Sequence, residues 1–277
     1  MGVDARLTRT DQGSDPMSVP ILIPHASGTN RDLEAAQAIE LAGGTPTIAH
    51  VNELRSGAVR IADHAAILLP GGFSYGDALG AGGRLALELR TWFADELAAA
   101  AQAARPMLGI CNGFQVLVKA GLLPGPMGGP RSVTLTENAE GRFECRWVTL
   151  QVEASCRSGW LGAVGGTTIR CPIAHGEGRV AVSDDSTAAR LEDGLVAFRY
   201  LADGARPTSD DPVAAGGAYP ANPNGSVNDI AGICDGTGNI VGLMPHPEDH
   251  VLDWQRPSGP EGGSGLPLFE AFVAAAR

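Results

Sequence analysis

Short apolar runs alternate with segments of helical spacing over the first half of the chain. The apolar runs cover residues 20–24 (PILIP), 45–51 (TPTIAHV), 65–70 (AAILLP) and 106–110 (PMLGI), and the helical segments cover 31–44 and 83–104. The first helical segment ends in Gly43-Gly44, which is typical of a helix C-terminus. Apolar strands that alternate with helices are usually buried on both faces. The pattern therefore predicts βαβ units and a parallel, doubly wound sheet.

The pattern changes from about residue 130, where strand-like pieces are separated by turns rich in glycine and aspartate. These pieces are SVTLTE, CRWVTLQVE, TTIRCPIAH and LVAFRY. A polar loop over 201–226, a hairpin with its turn at 235–238 and a final amphipathic helix in LPLFEAFVAAA follow. We therefore predict a single α/β domain over 19–277, preceded by a disordered extension at 1–18. Its sheet should be mostly parallel and flanked by helices, with antiparallel additions.

Charge and composition exclude several classes of function. The net charge is −11 and Lys119 is the sole lysine of the sequence. Nucleic acids and anionic membranes bind basic surfaces, so neither is expected as a partner. A P-loop needs a lysine within GK[ST], and the sequence contains no such motif, which excludes ATP chemistry of that kind.

Compartment and metal binding are also constrained by the sequence. No apolar run reaches the length of a membrane span, and the polar opening segment lacks the apolar core of a signal peptide. The five cysteines form no C-x-x-C pair, which is typical of a reducing compartment and not of a disulfide framework or a zinc site. We expect a cytoplasmic protein without a metal centre.

Cys111 stands in the stretch Gly109-Ile110-Cys111-Asn112-Gly113, between an apolar run and a segment of helical spacing. This order matches the strand–turn–helix elbow that carries a nucleophile between two glycines. Small flanking residues permit a strained bend, and the N-terminus of the following helix favours a thiolate. A buried cysteine with only a packing role is the alternative. The elbow alone does not decide between the two.

His246 and Glu248 flank Pro247 at the end of an apolar run, in the stretch LMPHPEDH. Proline disfavours a helical residue before it, so we expect an extended segment in which residues i and i+2 point to the same side. The carboxylate would then hold one imidazole nitrogen and fix the tautomer for proton transfer. A surface histidine beside a glutamate is the alternative. Together with an elbow cysteine, the pattern favours a Cys-His-Glu triad.

Glycines follow the apolar run in LLPGGFSYGDALGAGG, residues 68–83. A Gly-Gly pair at a strand end lets the backbone approach a ligand and offer its amide N–H groups. Such donors, together with the N–H of the residue after a nucleophile, form an oxyanion hole. A plain glycine-rich turn is the alternative interpretation.

The remaining candidate residues carry weaker signals. His175 and Glu177 lie close together in CPIAHGEGR, but two ligands without a third make a metal site improbable. Packing is the expected role of the other cysteines, which are Cys145, Cys156, Cys171 and Cys234. Solvated or core positions are expected for the remaining histidines, which are His25, His50, His64 and His250.

Taken together, these motifs resemble the class I glutamine amidotransferases, whose fold is flavodoxin-like. Within that group they look like the glutaminase subunit of phosphoribosylformylglycinamidine synthase. The matching stretches are SGTNRD, LPGGFSYGD, GICNGFQVLVKAGLLPG, RWVTLQVE, PIAHGEGR, NPNGS and GLMPHPE, in the family's order over roughly 20–250. The resemblance implies a subunit that hydrolyses L-glutamine for purine biosynthesis.

The resemblance also implies roles for single residues. Cys111 would be the nucleophile, His246 the general base and then acid, and Glu248 the residue that orients it. The backbone of Gly72, Phe73 and Asn112 would line the oxyanion hole, and Gln115 would help to hold the glutamine. The family releases ammonia from a γ-glutamyl thioester and passes it to a separate large synthetase subunit, often with a small third subunit. ATP and magnesium would bind to that synthetase subunit, so no cofactor is expected in this chain.

Some positions depart from the family's pattern. Arg31 follows Asn30 where the family usually has a cysteine, and Ala78-Leu79-Gly80 follow GGFSYGD where many members have an aromatic residue and an arginine. Residues 209–218 and part of DWQRPSGPEGGSG look like insertions. Two other functions stay open on the sequence, namely a stand-alone cysteine hydrolase or peptidase of the same fold and a non-catalytic regulatory module.

Overall fold

A computed structural model of the chain describes residues 19–126, 129, 131–202, 214–256 and 263–277. The strands are β1 (Pro20–His25), β2 (Thr45–His50), β3 (Ala66–Leu69), β4 (Met107–Ile110), β5 (Val133–Thr136), β6 (Glu144–Val152), β7 (Thr168–His175), β8 (Arg179–Val182), β9 (Val196–Tyr200), β10 (Ile230–Cys234) and β11 (Ile240–Leu243). The helices are α1 (Asp32–Leu41), α2 (Val51–Ser56), α3 (Gly83–Trp92), α4 (Ala94–Gln102), α5 (Asn112–Ala120), α6 (Asp185–Glu192) and α7 (Leu266–Ala275).

Nine strands form one mixed sheet in the order β2-β1-β3-β4-β11-β10-β9-β6-β7. The pairings from β2 to β11 are parallel, and those from β11 to β7 are antiparallel. Strands β5 and β8 form a separate antiparallel pair. The predicted α/β class with antiparallel additions is confirmed. The prediction of a mostly parallel sheet is wrong, because four of the eight pairings in the described sheet are parallel and four are antiparallel.

The parallel half has the strand order of a doubly wound sheet. The chain passes from β1 outward to β2 and then returns to the other side of β1 to form β3 and β4. Because crossover connections are right-handed, this reversal puts successive helices on opposite faces of the sheet. Helix α1 packs against α7, and α3 packs against α5. Ligands in such folds bind at the carboxyl ends of the strands near the reversal, which are the ends of β1, β3 and β4 here.

The helix predicted over 83–104 is interrupted at Phe93, which separates α3 from α4. Phe93 has φ −126° and ψ 16°, and its side chain is buried. Burial of this ring stabilises a bend that the alanine-rich composition does not reveal. The sequence pattern also did not predict the short helices α2 and α6. They begin at side-chain caps, with His50 accepting from Asn52 and Asp184 accepting from Thr187.

The hairpin predicted with its turn at 235–238 is present between β10 and β11. The carboxylate of Asp235 accepts hydrogen bonds from the backbone N–H groups of Thr237 and Ile240 at 3.1 and 2.9 Å, which stabilises the turn. The hairpin joins β11 to the sheet beside β4, so the chain after β11 emerges next to the end of β4.

The predicted extension at 1–18 lies outside the described residues, as do residues 209–213 of the predicted insertion at 209–218. The single-domain boundary at 19–277 therefore stays a prediction. Within the described ranges, every helix is too short or too polar to cross a membrane.

Candidate active site

Cys111 joins β4 to α5 with a left-handed backbone, at φ 49° and ψ −107°. Such angles are strained for a residue with a side chain. The flanking glycines make this bend possible. A Cβ on Gly113 would lie 2.0 Å from the backbone oxygen of Leu69, and one on Gly109 would lie 2.5 Å from Leu117 Cδ1. The elbow predicted from the sequence is therefore present, and both glycines are required by close packing.

His246 and Glu248 lie in contact after β11. The distance between His246 Nδ1 and Glu248 Oε1 is 2.7 Å, and both side chains are buried. The extended geometry predicted for this segment is wrong, because Pro247–Asp249 forms a 3₁₀ turn. Proline is well accommodated at the first position of such a turn, while His246 before it keeps a non-helical φ of −107° and ψ of 81°. The contact that we predicted forms through this turn.

The imidazole of His246 lies between the carboxylate and the cysteine. Burial alone disfavours the charged ring, but the Glu248 carboxylate and then the neighbouring Cys111 raise the pKa of His246 well above its ordinary value. The ring also packs against Gly71, where a Cβ would lie 2.6 Å from His246 Cε1. The structure thus brings together Cys111, His246 and Glu248, in an arrangement that favours the protonated form of the imidazole.

Strand β7 lines the same site from the antiparallel half of the sheet. The thiol of Cys111 donates to the backbone oxygen of Ala174 across 3.8 Å, and the backbone N–H of His246 donates to Pro172 O at 2.8 Å. The nucleophile and the base are therefore both fixed to one strand. Their relative position depends on β7 as well as on β4 and β11.

The predicted oxyanion donors differ in their availability. Asn112 is the first residue of α5, where helical N–H groups have no acceptor within the helix. Gly72 lines the cavity beside Cys111 and has a φ of 134°, which favours glycine. Phe73 also lines the cavity, but its backbone N–H donates to Gly28 O at 2.9 Å and is not free in this conformation. The prediction for Phe73 as a donor is therefore not supported by its geometry.

The side chains of Asn112 and Gln115 organise the loops around the nucleophile. Asn112 Oδ1 accepts from Ser74 N at 3.2 Å, and Asn112 Nδ2 donates to Gln115 Oε1 at 3.1 Å. Gln115 Nε2 donates to the backbone oxygen of Glu177 at 2.7 Å. Gln115 lines the cavity, and its contact with substrate stays a prediction. In the structure, its polar atoms join α5 to the 175–178 loop.

A cavity of about 130 Å³ opens beside the thiol of Cys111. Its lining includes two carboxylates, Asp77 and Glu177, that the sequence did not single out as ligands of a substrate. Glu177 accepts from Ala81 N at 3.3 Å and lies 3.6 Å from Lys119 Nζ. Burial and the neighbouring Glu177 carboxylate raise the pKa of Asp77. The HGEGR stretch was the available signal, but nothing local connects it to a cysteine 66 positions earlier.

Metal binding finds no support in the described ranges, where no three metal-ligating side chains come together. The absence of a metal from the chain stays a prediction. His175 and Glu177 instead lie at the cavity beside Cys111.

The other histidines and cysteines have structural surroundings. Three histidines have partners that the sequence did not identify, since His25 lies 2.8 Å from Asp32, His64 Nδ1 lies 2.9 Å from Arg60 O, and buried His250 contacts Arg170 O. His50 caps α2. Cys171 and Cys234 are buried, and Cys234 Sγ lies 3.4 Å from Cys156 Sγ.

Arg31, one of the departures noted in the sequence, lies behind the triad. Its guanidinium lies 3.1 Å from Glu34 Oε1 and 3.6 Å from Asp249 Oδ2. Burial lowers the pKa of Arg31, but the nearby carboxylates, led by Asp249, outweigh it and raise that pKa overall. The arginine therefore compensates part of the negative charge that Glu248 and Asp249 concentrate in the 3₁₀ turn.

Comparison with known proteins gives a consistent result along nearly the whole chain. The model of the CobB/CobQ-like glutamine amidotransferase domain matches residues 18–276. Phosphoribosylformylglycinamidine synthase subunit PurQ of Treponema denticola is 46% identical over 252 residues, covering 87% of this chain and 91% of that protein. The PurQ subunit of Dehalococcoides mccartyi is 42% identical over 266 residues, covering 94% and 98%.

Solved structures agree with these sequence matches. A chain in the structure of PurLQS from Thermotoga maritima superposes with a TM-score of 0.66 at 32% identity, covering 92% of this chain and 97% of that one. The glutaminase domain of Trypanosoma brucei CTPS, at 13% identity and a TM-score of 0.54 with 93% of each chain covered, shares the fold. The chain therefore belongs to the CobB/CobQ-like glutamine amidotransferases and, within them, to the PurQ subunits of phosphoribosylformylglycinamidine synthase.

Proposed function

We propose that this chain hydrolyses the side-chain amide of L-glutamine through a thioester on Cys111 and supplies the ammonia to a synthetase subunit. The observation that carries the proposal is the shared site of Cys111, His246 and Glu248. The cysteine stands on a strained elbow, and the imidazole lies between it and a carboxylate at 2.7 Å. A cavity of about 130 Å³ beside the thiol offers space for a small substrate.

The first half of the reaction forms the thioester. The thiolate of Cys111 attacks the amide carbon, and the resulting oxyanion accepts hydrogen bonds from the backbone amides of Gly72 and Asn112. The loss of one such donor typically lowers the rate by about a hundredfold or more. The imidazolium of His246 then protonates the leaving nitrogen, the carbon–nitrogen bond breaks, and ammonia departs.

The second half of the reaction regenerates the thiol. Neutral His246 takes a proton from water, and the hydroxide attacks the thioester carbonyl. The sulfur then leaves as a thiolate and glutamate is released. Glu248 keeps His246 in one tautomer through both halves, because its carboxylate accepts a hydrogen bond from the Nδ1–H group.

The cavity also offers groups that fit the amino-acid end of glutamine. The carboxylates of Asp77 and Glu177 line it, and a carboxylate is the natural partner of an α-ammonium group. Gln115 lines the same cavity, and its Nε2 donates to the backbone oxygen of Glu177. We assign substrate orientation to these three residues.

Ammonia must reach a second active site, since at neutral pH free ammonia is mostly protonated and unreactive. The similarity to proteins named as synthase subunits, and to a chain of the Thermotoga maritima PurLQS structure, supports assembly with a large synthetase subunit. ATP and magnesium would bind there, and this chain would need no cofactor of its own. A small third subunit and a cytoplasmic location complete the proposal.

Substitution of the nucleophile tests the proposal in the reconstituted complex. Cys111→Ala should abolish glutamine hydrolysis and glutamine-dependent synthesis, while synthesis from added ammonium salts should persist. Cys145→Ala is the matched control, because that cysteine is exposed and does not line the cavity. Undiminished glutamine hydrolysis by Cys111→Ala would overturn the assignment of the nucleophile.

A further inference from the structure

Lys119 is the sole lysine of the sequence, and the proposed mechanism gives it no role. It lies in the last turn of α5, the helix that begins directly after the nucleophile. Its Nζ donates to the backbone oxygen of Ala81 at 2.5 Å and lies 3.6 Å from Glu177 Oε2. A lysine side chain loses much conformational freedom when it is fixed in this way. Its two contacts therefore call for an explanation.

The contacts of Lys119 close a ring with the wall of the cavity beside Cys111. The Glu177 carboxylate accepts from the Ala81 backbone N–H at 3.3 Å, while Lys119 binds the backbone oxygen of the same residue. Ala81 and Glu177 both line the cavity. Lys119 is not a lining residue of the cavity but lines a separate groove on the other side of this wall. It therefore acts on the shape of the cavity through the two residues that it contacts.

The backbone of this wall requires support. Asp77 and Leu79 have φ values of 55° and 69°, in the left-handed region that favours glycine. Such strain persists only where the surrounding contacts impose it. Asn112 Nδ2 donates to Asp77 Oδ1 at 3.3 Å, and Lys119 holds the segment four positions later at Ala81. Side chains from the first and the last turn of α5 thus hold the strained segment at two points.

The charges of the wall fit one ammonium group. Asp77 and Glu177 contribute two negative charges and Lys119 one positive charge, so the three groups together carry one net negative charge when all are ionised. Burial and then the Glu177 carboxylate raise the pKa of Asp77, and Lys119 opposes this effect. Lys119 therefore allows both carboxylates to stay ionised at close range.

We propose that Lys119 is a positioning residue for substrate recognition, which holds Ala81 and Glu177 so that the cavity wall binds the α-ammonium group of L-glutamine. This inference rests on the glutaminase function proposed above. No bond forms or breaks at Lys119, and the lysine acts on the binding of glutamine and not on the chemistry at Cys111. A wall of this shape favours glutamine over glutaramate, the same carboxamide without the α-amino group.

Comparison of L-glutamine with glutaramate tests the inference in the reconstituted complex, with release of ammonia as the readout. Lys119→Met removes the donor and the charge but keeps an unbranched side chain. We expect it to raise KM for glutamine by about tenfold, as befits a charged hydrogen bond, with kcat changed less than about twofold and kcat/KM for glutaramate nearly unchanged.

Two further variants control for charge and for shape. Lys119→Arg keeps a donor and a positive charge and should restore most of the affinity for glutamine. Arg90→Met removes a cation from the groove that Lys119 lines, at a position that does not line the cavity, and should leave KM unchanged.

A double-mutant cycle shows whether Lys119 acts through Glu177. Glu177→Gln should also raise KM for glutamine, and the addition of Lys119→Met should raise it no further, because both changes disrupt the same wall. The cycle uses glutamine alone and therefore decides even where glutaramate is hydrolysed too slowly to measure. A KM that rises by the product of the two single effects would overturn the inference.

Other outcomes separate this inference from the proposed function. Equal losses for both substrates would mean a general structural role, and an unchanged or lower KM for glutamine would mean that Lys119 does not position the wall. Either result overturns the inference while Cys111-dependent hydrolysis stands. Absence of Cys111-dependent hydrolysis in the unsubstituted complex would overturn both.

Should Lys119→Met fail to fold, the lysine itself can be observed in the full Cys111→Ala chain. Reductive ¹³C-methylation before assembly into the complex labels one lysine, because the sequence contains no other. Bound glutamine should shift the ¹³C-methyl resonance of Lys119 and glutaramate should not. Identical spectra with the two compounds would refute the inference.

Discussion

The reactivity of Cys111 depends on contacts made by its backbone and by its neighbours. Its backbone N–H donates to Leu243 O at 2.8 Å, and its thiol donates to Ala174 O across 3.8 Å. These two contacts keep the strained φ of 49° in place and hold the sulfur near His246. Strain of this kind persists only where the surrounding structure imposes it. At the residue scale, therefore, the site is preorganised by the sheet.

Replacement of Glu248 should weaken the reactivity of Cys111 without removing the thiol. The carboxylate raises the pKa of His246, so Glu248→Gln lowers that pKa and leaves less imidazolium to stabilise a thiolate at neutral pH. At a pH above the pKa, a fall of one pKa unit lowers the protonated fraction of the imidazole by a factor of about ten. We expect alkylation of Cys111 by iodoacetamide at pH 7 to slow by about tenfold, measured by mass spectrometry of the Cys111 peptide.

The control for this substitution is Glu40→Gln, at an exposed position of α1. It should leave the alkylation rate unchanged. An unchanged rate in Glu248→Gln as well would mean that the carboxylate does not act on the pair of Cys111 and His246.

At the scale of elements, helix α5 and strand β3 approach each other unusually closely at Gly113. A Cβ added there would lie 2.0 Å from Leu69 O, so Gly113→Ala must push α5 away from β3 or distort the elbow. Overpacking of this kind costs about 1–3 kcal/mol. We expect a loss of that size in the free energy of unfolding in urea, together with loss of glutamine hydrolysis.

Gly159→Ala provides the comparison, because within the described residues no heavy atom lies within 4 Å of the added Cβ. Its free energy of unfolding should stay within about 0.5 kcal/mol of the parent value. Equal stability of the two variants would show that the backbone of α5 yields to the extra atom.

The 3₁₀ turn Pro247–Asp249 carries a carboxyl group whose ionisation is unfavourable. Burial and then the Glu248 carboxylate raise the pKa of Asp249 from 3.8 to about 6. The folded state thus binds this proton more tightly than the unfolded chain does. The tighter binding of this proton adds to the free energy of unfolding below about pH 4, and this contribution is lost as the pH rises through about 6.

Asp249→Asn is neutral at every pH and should escape this loss. Its gain in stability over the parent chain should grow between about pH 4 and pH 6 and stay near 1–2 kcal/mol above pH 7, after allowance for solvent screening. Urea unfolding across this pH range measures the difference. Exposed Asp253, replaced by Asn, should show no such trend. A gain for Asp249→Asn that is the same at every pH would contradict the assigned shift.

Elements with strong local signals were predictable, and those determined by distant contacts were not. The apolar runs predicted β1 to β4, and the glycines around Cys111 predicted the elbow. The 3₁₀ turn was missed because Pro247 excludes a helical His246 but is itself compatible with the start of a turn. The bend at Phe93 depends on burial of its ring. Phe73 N–H binds Gly28 O through a loop contact 45 positions apart, which no local pattern indicates.

At the scale of the whole molecule, the site lies where the strand order predicts a ligand site. Gly72 follows β3, Cys111 follows β4 and His246 follows β11, which are three adjacent parallel strands. Side chains far apart in sequence therefore meet at one edge of the sheet. Strand β7 reaches the same place through Ala174 and His175, which ties the antiparallel half of the sheet to the chemistry.

This arrangement also explains why the carboxylates of the cavity escaped prediction. Glu177 follows β7, and its position beside Cys111 depends on the order of nine strands. The sequence predicted antiparallel additions but not which of them reaches the parallel half. The triad was accessible because its members stand in motifs with local chemical meaning. The residues that surround the substrate stand in positions that only the assembled sheet brings together.

The central claim is that Cys111 alone among the five cysteines attacks the side-chain carbon of glutamine. The most direct measurement treats the complex with an electrophilic glutamine analogue and locates the adduct by peptide mass spectrometry. The account predicts modification of Cys111, slowed by added L-glutamine, and none at the other four cysteines. An unmodified Cys111, or an adduct at another cysteine that glutamine suppresses, would contradict it.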